Sequence, residues 1–260
     1  MTAARCRRRS TDRNAPRMLL LHGLGGSAAA WDQVVACSAP EYEIWDTDLP
    51  WHGLAGSDWT RRCDPRRVVA DLADGMDVVV AHSYSAGLLL AAMAAGEARV
   101  GAAVLVSPFH RAEAKSFDWP TISSALNDFH QVFVEALRVN CAHRFSAVHR
   151  EWLGRQLRDR VGPYGWMSFF ELYLRSPFLR LDEVRTPVLV LRGADDAASR
   201  PEDSHELARG LPNARLAHLD GCGHFPMIEQ PEQFARAVGR FLGSLDLVTA
   251  AVPADHANRS

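Results

Sequence analysis

Residues 78–87, Val-Val-Val-Ala-His-Ser-Tyr-Ser-Ala-Gly, constrain the fold of this chain more than any other stretch. An unbroken apolar strand turns through small residues straight into an Ala/Leu helix predicted from Tyr84 to Ala95. A strand that is apolar at successive positions is covered on both faces, an arrangement supplied by a parallel sheet between layers of helices. The same alternation recurs. Strand-like runs are predicted at Arg17–Leu21, Tyr42–Thr47, Asp77–Ala81, Ala102–Val106, Pro187–Leu191 and Arg215–Leu219. Helical patterns fall at Ser27–Cys37, Pro65–Ala73, Glu202–Gly210 and Pro231–Leu242. The chain therefore reads as an α/β fold with a mostly parallel, doubly wound sheet of about six strands and right-handed crossovers.

Between Phe109 and Arg180 no strand-like run occurs, but helical patterns cover Thr121–Asn140, Phe145–Arg158 and Trp166–Leu174. Residues 109–180 are expected to form a helical cap inserted into a core made of residues 17–108 and 181–245. Aromatic side chains gather in that insertion, among them Phe117, Trp119, Phe129, Phe133, Trp152, Tyr164, Trp166, Phe169 and Phe170. They either roof an apolar pocket or fix the cap to the sheet. Residues 1–16 and 246–260 are polar and patternless and are expected to fray, so deletion of residues 1–14 should leave folding nearly intact.

Composition excludes several classes of function. The chain has 260 residues with 47% hydrophobic and 23% charged residues and a formal net charge of -2, a balance that gives no footprint for nucleic acid. No apolar run approaches the ~18 residues that span a bilayer, and the Arg-rich start is followed by polar residues where a signal peptide needs an apolar stretch. The five cysteines, Cys6, Cys37, Cys63, Cys141 and Cys222, are odd in number and scattered, which points to a reducing cytoplasm rather than to disulfides or a zinc site. The sequence sets no oligomeric state.

Three strand ends carry residues with chemistry. At the first, Ser83 follows Ala81-His82 on the turn from strand to helix. A serine hydroxyl is a weak nucleophile unless it stands clear of the sheet, reaches a base and has main-chain donors beside it. Leu19-Leu20-Leu21-His22-Gly23-Leu24-Gly25-Gly26 ends an early strand in a glycine-rich loop that lacks the Lys-Ser/Thr of a phosphate-binding loop. The N–H groups of Leu24 and Tyr84 are the candidate oxyanion donors. At the second end, Val188–Arg192 runs into Gly193-Ala194-Asp195-Asp196. At the third, His224 lies in Gly221-Cys222-Gly223-His224-Phe225-Pro226. Serine, acid and histidine arrive in that order, each after its own strand.

With these motifs the chain closely resembles the α/β-hydrolase family, from Met18 to Leu242. The Asp48-Leu49-Pro50-Trp51-His52-Gly53 stretch adds to the likeness, and the run Gly223-His224-Phe225-Pro226-Met227-Ile228-Glu229-Gln230-Pro231 is the most specific part of it. The resemblance implies Ser83 as nucleophile, Asp196 as the acid and His224 as the base, and a cap following the sixth family strand. It departs from the family in three places. The family's G-x-S-x-G reads Ala81-His82-Ser83-Tyr84-Ser85, which leaves Ser85 as a rival nucleophile, although the spacing from the strand favours Ser83. Trp51 stands where the family usually has glycine and either lines the pocket or packs. The leading pair of family strands has no apolar counterpart here. Asp195 competes with Asp196, and the family's spacing from Gly193 selects Asp196.

The chemistry implied is acyl transfer from an ester or thioester to Ser83 and then to water, with a small-molecule acyl substrate and no metal or organic cofactor. Trp51, Phe109, Trp166 and Phe225 are the pocket candidates. Two alternatives use the same frame: an acyltransferase or eliminating enzyme, and a binding protein without catalysis.

Overall fold

The computed structural model describes residues 6–9, 15–38, 42–56, 58–141 and 144–245. Among the described residues seven strands form one sheet: β1 (Arg7–Arg8), β2 (Arg17–Leu21), β3 (Glu43–Asp46), β4 (Val78–His82), β5 (Ala102–Val106), β6 (Val188–Gly193) and β7 (Ala214–Leu219). Their spatial order is β1-β3-β2-β4-β5-β6-β7, and every pairing is parallel except β1 with β3.

Period-two alternation divides the strand side chains between two cores. Leu19, Leu21, Val79, Ala81, Ala103, Leu105, Val188 and Val190 face one layer, and Met18, Leu20, Val78, Val80, Ala102, Val104, Leu189 and Leu191 face the other. Because both faces are buried, a one-residue slip would exchange the two sets without exposing either, and register falls to side-chain shape and the crossover helices. On the first face lie α3 (Pro65–Ala73) and α4 (Tyr84–Ala94). Asp64 caps α3 by accepting from the N–H groups of Arg66 and Arg67, and Pro65 supplies a first-turn residue with no N–H to satisfy. Every residue of α4 is buried, which explains why its sequence is apolar all round. On the opposite face α1 (Asp32–Cys37) packs against α10 (Pro231–Leu242), with the Trp31 ring tilted against Phe234 at 6.1 Å between centroids. The predicted helix over Ser27–Cys37 begins as a 3₁₀ turn at Ala28–Trp31 before α1.

Residues between β5 and β6 are helical: α5 (Trp119–Asn127), α6 (His130–Cys141) and α7 (Ala147–Arg175). The long α7 is broken at Gly162, whose φ of 68° is followed by Pro163, so the chain changes direction and restarts there. A short α2 (Trp59–Arg62) precedes α3; α8 (Pro201–Gly210) joins β6 to β7, and α9 (Pro226–Glu229) precedes α10. Among the described residues no helix is long and apolar enough to cross a membrane.

The sheet has seven strands rather than the six expected. Arg7 and Arg8 pair antiparallel with Asp46 and Trp45, at the sheet edge, where a strand needs main-chain pairing but no apolar face. Arg7 Nε and Arg9 Nη1 reach the fully buried Asp46 carboxylate at 3.0 and 2.6 Å. The remainder of the terminal segments expected to fray, residues 1–5, 10–14 and 246–260, lies outside the described residues. Removing residues 1–9 takes both guanidinium groups from a buried carboxylate. After allowance for solvent around Arg7, this costs on the order of 2–3 kcal/mol. Each kcal/mol lowers Tm by roughly 2–4 °C in a chain of this size. A truncated protein that melts with the full-length chain would show that Asp46 is held by other means.

Candidate active site

The carboxyl ends of β4, β6 and β7 open onto one edge of the sheet, and the polar residues singled out in the sequence meet there. Ser83 links β4 directly to α4 with φ 54° and ψ -117°, a conformation that costs a non-glycine residue about 1–3 kcal/mol. Its N–H donates to the Val106 carbonyl at 2.8 Å, and its carbonyl accepts from Gly87 N–H at 3.1 Å. The glycine-rich loop presses on the turn from outside. A Cβ at Gly23 would lie 2.9 Å from His82 Nδ1 and 3.1 Å from Ser83 Cβ, so a side chain there would displace the serine. Ser85 is fully buried and its hydroxyl donates to the His22 carbonyl, so it is turned away from the pocket.

His224 lies between β7 and α9. Its Nε2 is 3.1 Å from Ser83 Oγ and its Nδ1 is 2.9 Å from Asp196 Oδ2. The second carboxylate oxygen, Oδ1, accepts from the N–H groups of Ala198 at 2.9 Å and Ser199 at 3.1 Å. Burial alone would push the Asp196 carboxyl up, but His224 and these amides outweigh it and hold the group below its ordinary value. Asp195 is exposed and touches the site only through its N–H, which donates to the Cys222 carbonyl at 2.9 Å. Gly193, at the end of β6, is in close contact with the histidine loop: a Cβ there would come within 2.1 Å of the carbonyl oxygens of both Cys222 and Gly223.

Neither the Leu24 nor the Tyr84 N–H is spent on an acceptor among the described residues. The loop carrying Leu24 is fixed on both sides: Gly25 N–H donates to the Trp51 carbonyl at 2.9 Å and Gly53 N–H to the Gly26 carbonyl at 2.8 Å. His22 accepts from Leu49 N–H on Nε2, so its proton is on Nδ1 and donates to the Gly23 carbonyl at 2.8 Å. Burial first and Glu229 second push the Cys222 thiol up to about 12, which keeps it protonated and unreactive.

The pocket candidates separate. Phe109 and Phe225 lie 5.5 and 5.2 Å from the His224 ring, and Phe109 also meets Phe169 and Tyr173 edge-on. Trp51 is 1% exposed and packs between Trp59 and Tyr84, which is the packing alternative and not the lining one. Trp166 stacks on Phe170 and lines a cavity of about 680 Å³ with Leu126, Phe129 and Met167; none of Ser83, Asp196 and His224 lines that cavity.

Two polar residues in this region receive no role from the sequence. His82 Nε2–H donates to the His224 carbonyl at 2.9 Å, and buried Arg192 donates through Nη2 to the carbonyls of Ser199 at 2.9 Å and Asp196 at 3.3 Å. The available signal was a polar residue at the end of an otherwise apolar strand, Val80-Ala81-His82 and Val190-Leu191-Arg192.

A strained serine at a strand-to-helix turn, with histidine and aspartate delivered from later strand ends of a mostly parallel sheet, defines a protein of the α/β-hydrolase class. A model of the Alpha/beta hydrolase family matches residues 18–237, and the chain belongs to that family. It is 25% identical over 239 residues to a pimeloyl-[acyl-carrier protein] methyl ester esterase from Nitrosomonas europaea, covering 86% of this chain and 94% of that one. It is 27% identical over 248 residues to the enzyme of that name from Xanthomonas campestris, covering 89% and 97%. Among solved structures, the enol-lactonase from Burkholderia xenovorans LB400 has the same fold, with a TM-score of 0.60 and 19% identity over 92% of this chain and 96% of that one.

Three buried imidazoles make the fold sensitive to acid. Burial lowers His22 and His110 to about 4 and His82 to about 3, from an ordinary value of 6.5. Below pH 6.5 the unfolded chain therefore binds protons that the folded one refuses, so stability is intact above that pH and falls as pH drops toward 4. His110, whose Nδ1 has no hydrogen-bond partner among the described residues, allows a direct check. His110→Leu should flatten the decline of Tm between pH 6.5 and 4, and an unchanged slope would remove this residue from the account.

Proposed function

We propose that the chain hydrolyses a carboxylic ester or thioester through an acyl-enzyme on Ser83. The observation that carries this reading is the hydrogen-bonded line from Ser83 Oγ to His224 Nε2 at 3.1 Å and from His224 Nδ1 to Asp196 Oδ2 at 2.9 Å. In the first half-reaction His224 takes the hydroxyl proton as Ser83 Oγ bonds to the carbonyl carbon, and Asp196 stabilises the imidazolium. The carbonyl oxygen, now negative, accepts from the N–H groups of Leu24 and Tyr84. The tetrahedral adduct collapses, the bond to the alcohol or thiol breaks, and His224 returns the proton to that leaving group. Water then gives a proton to His224 as its oxygen bonds to the acyl carbon; on collapse the bond to Ser83 Oγ breaks, His224 passes that proton to the serine oxygen, and the carboxylic acid is released.

The rings of Phe109, Phe225, Phe169 and Tyr173 support an apolar, medium-sized acyl group, with the helical insertion acting as a cap over it. The two relatives are named for a methyl ester on a carrier-bound acyl chain, and we take an ester of a small alcohol as the first substrate class to assay. All five cysteines are free, which supports a reducing, cytoplasmic location.

A fluorophosphonate probe should label the protein and fail to label Ser83→Ala; labelling that persists in the variant would end the proposal, as would a wild-type protein that stays unlabelled. The two neighbouring carboxylates give a sharper comparison. Asp196→Asn should lower kcat by on the order of 10³- to 10⁴-fold, while Asp195→Asn should stay within about threefold. Comparable losses on p-nitrophenyl esters would mean that the exposed aspartate takes part.

A further inference from the structure

The stretch that most strongly marks the family runs from Gly223 to Pro231, and the reading above uses only His224 and the ring of Phe225 from it. Glu229 ends α9, and its side chain folds back over the histidine loop with 12% exposure. Oε1 accepts from Gly223 N–H at 3.0 Å and from Phe225 N–H at 3.2 Å, the two amides on either side of His224. Close approach is allowed because position 223 has no side chain: a Cβ there would lie 3.2 Å from Glu229 Oε1 and 2.9 Å from Glu135 Oε1. The neighbouring Gln230 continues the pattern, its Nε2 donating to the carbonyls of Asp220 at 2.8 Å and Gly221 at 3.2 Å. The other oxygen of Glu229 is 3.3 Å from Arg138 Nη2 on α6, and that guanidinium also clasps Glu135.

We propose that Glu229 is a positioning residue for the base. By accepting from the amides before and after His224, it holds the loop at the height at which Nε2 reaches Ser83, while Asp196 sets the rotation of the ring. The inference rests on the reading of Ser83 and His224 as nucleophile and base. Two main-chain donors to one ionised carboxylate oxygen are charge-assisted bonds, stronger than their neutral counterparts. Without them the glycines at 221 and 223 would leave the loop free to shift, and a displacement of about 1 Å at a reacting group can cost on the order of 100-fold. Arg138 ties the same carboxylate to the helical insertion but makes neither amide bond.

Three variants test this: Glu229→Ala, Glu229→Gln and Arg138→Ala, each assayed on a p-nitrophenyl ester and with a fluorophosphonate below its melting temperature. Glu229→Ala should lower kcat by about 10- to 100-fold with KM nearly unchanged, and the labelling rate of Ser83 should fall in parallel. Glu229→Gln keeps an acceptor oxygen for both amides and should recover kcat to within about threefold, and Arg138→Ala should stay in the same range. Wild-type kcat and labelling in Glu229→Ala would overturn the proposal, and so would a glutamine variant as poor as alanine. Amide exchange separates the two readings. The Gly223 and Phe225 amides should be protected in wild type and exchange faster in Glu229→Ala whether or not Ser83 is labelled, and unchanged exchange would also overturn the proposal.

Discussion

The backbone of Ser83 is the constraint on which the rest of the site depends. A positive φ at a residue with a side chain persists only where its surroundings leave no alternative, and here three of them do so. The amide is taken by the end of β5, the carbonyl by the first turn of α4, and the space above by the backbone of Gly23. Relaxing the serine would break the parallel pairing of β4 with β5 or unwind α4, whose residues are all buried. The strain is thus held by the core of the whole sheet and does not depend on the loops that surround it.

Those loops are held by buried polar groups bonded to main chain. His22 fixes the glycine-rich loop to the turn at Leu49, and Ser85 reaches back to the His22 carbonyl. His82 ties β4 to the histidine loop, and Arg192 gathers the carbonyls of the aspartate loop. A buried polar group is costly unless it is hydrogen-bonded, and these four are each bonded to main chain from a neighbouring loop. Burial that lowers the pKa values of His22 and His82 keeps both rings neutral, so they support the site without adding positive charge beside His224.

Much of this was legible because each strand that positions a site residue is apolar throughout and ends in small residues. Val78–Val80, Ala102–Val106 and Leu189–Leu191 could hardly be anything but central strands, and their ends locate Ser83 and Asp196. The edge strand at Arg7–Arg8 was illegible for the converse reason: what orders it is main-chain pairing with β3 and ion pairs to carboxylates such as Asp46, all far along the chain. Trp51 could not be assigned to pocket or packing from sequence, since its neighbours Trp59 and Tyr84 belong to separate helices. The break in α7 rests on Gly162 and Pro163, a pair that signals an interruption but not its direction.

Gly193 carries a final consequence. The distance between the aspartate and histidine loops is set there by an atom that the chain lacks, since even a methyl group would overlap two carbonyl oxygens of the opposing loop. Asp196 and His224 are therefore spaced by direct contact of one main chain with another, a stop that no rotamer change can loosen. Whatever the outer helices do, the gap between the Asp196 and His224 loops stays fixed by bare backbone.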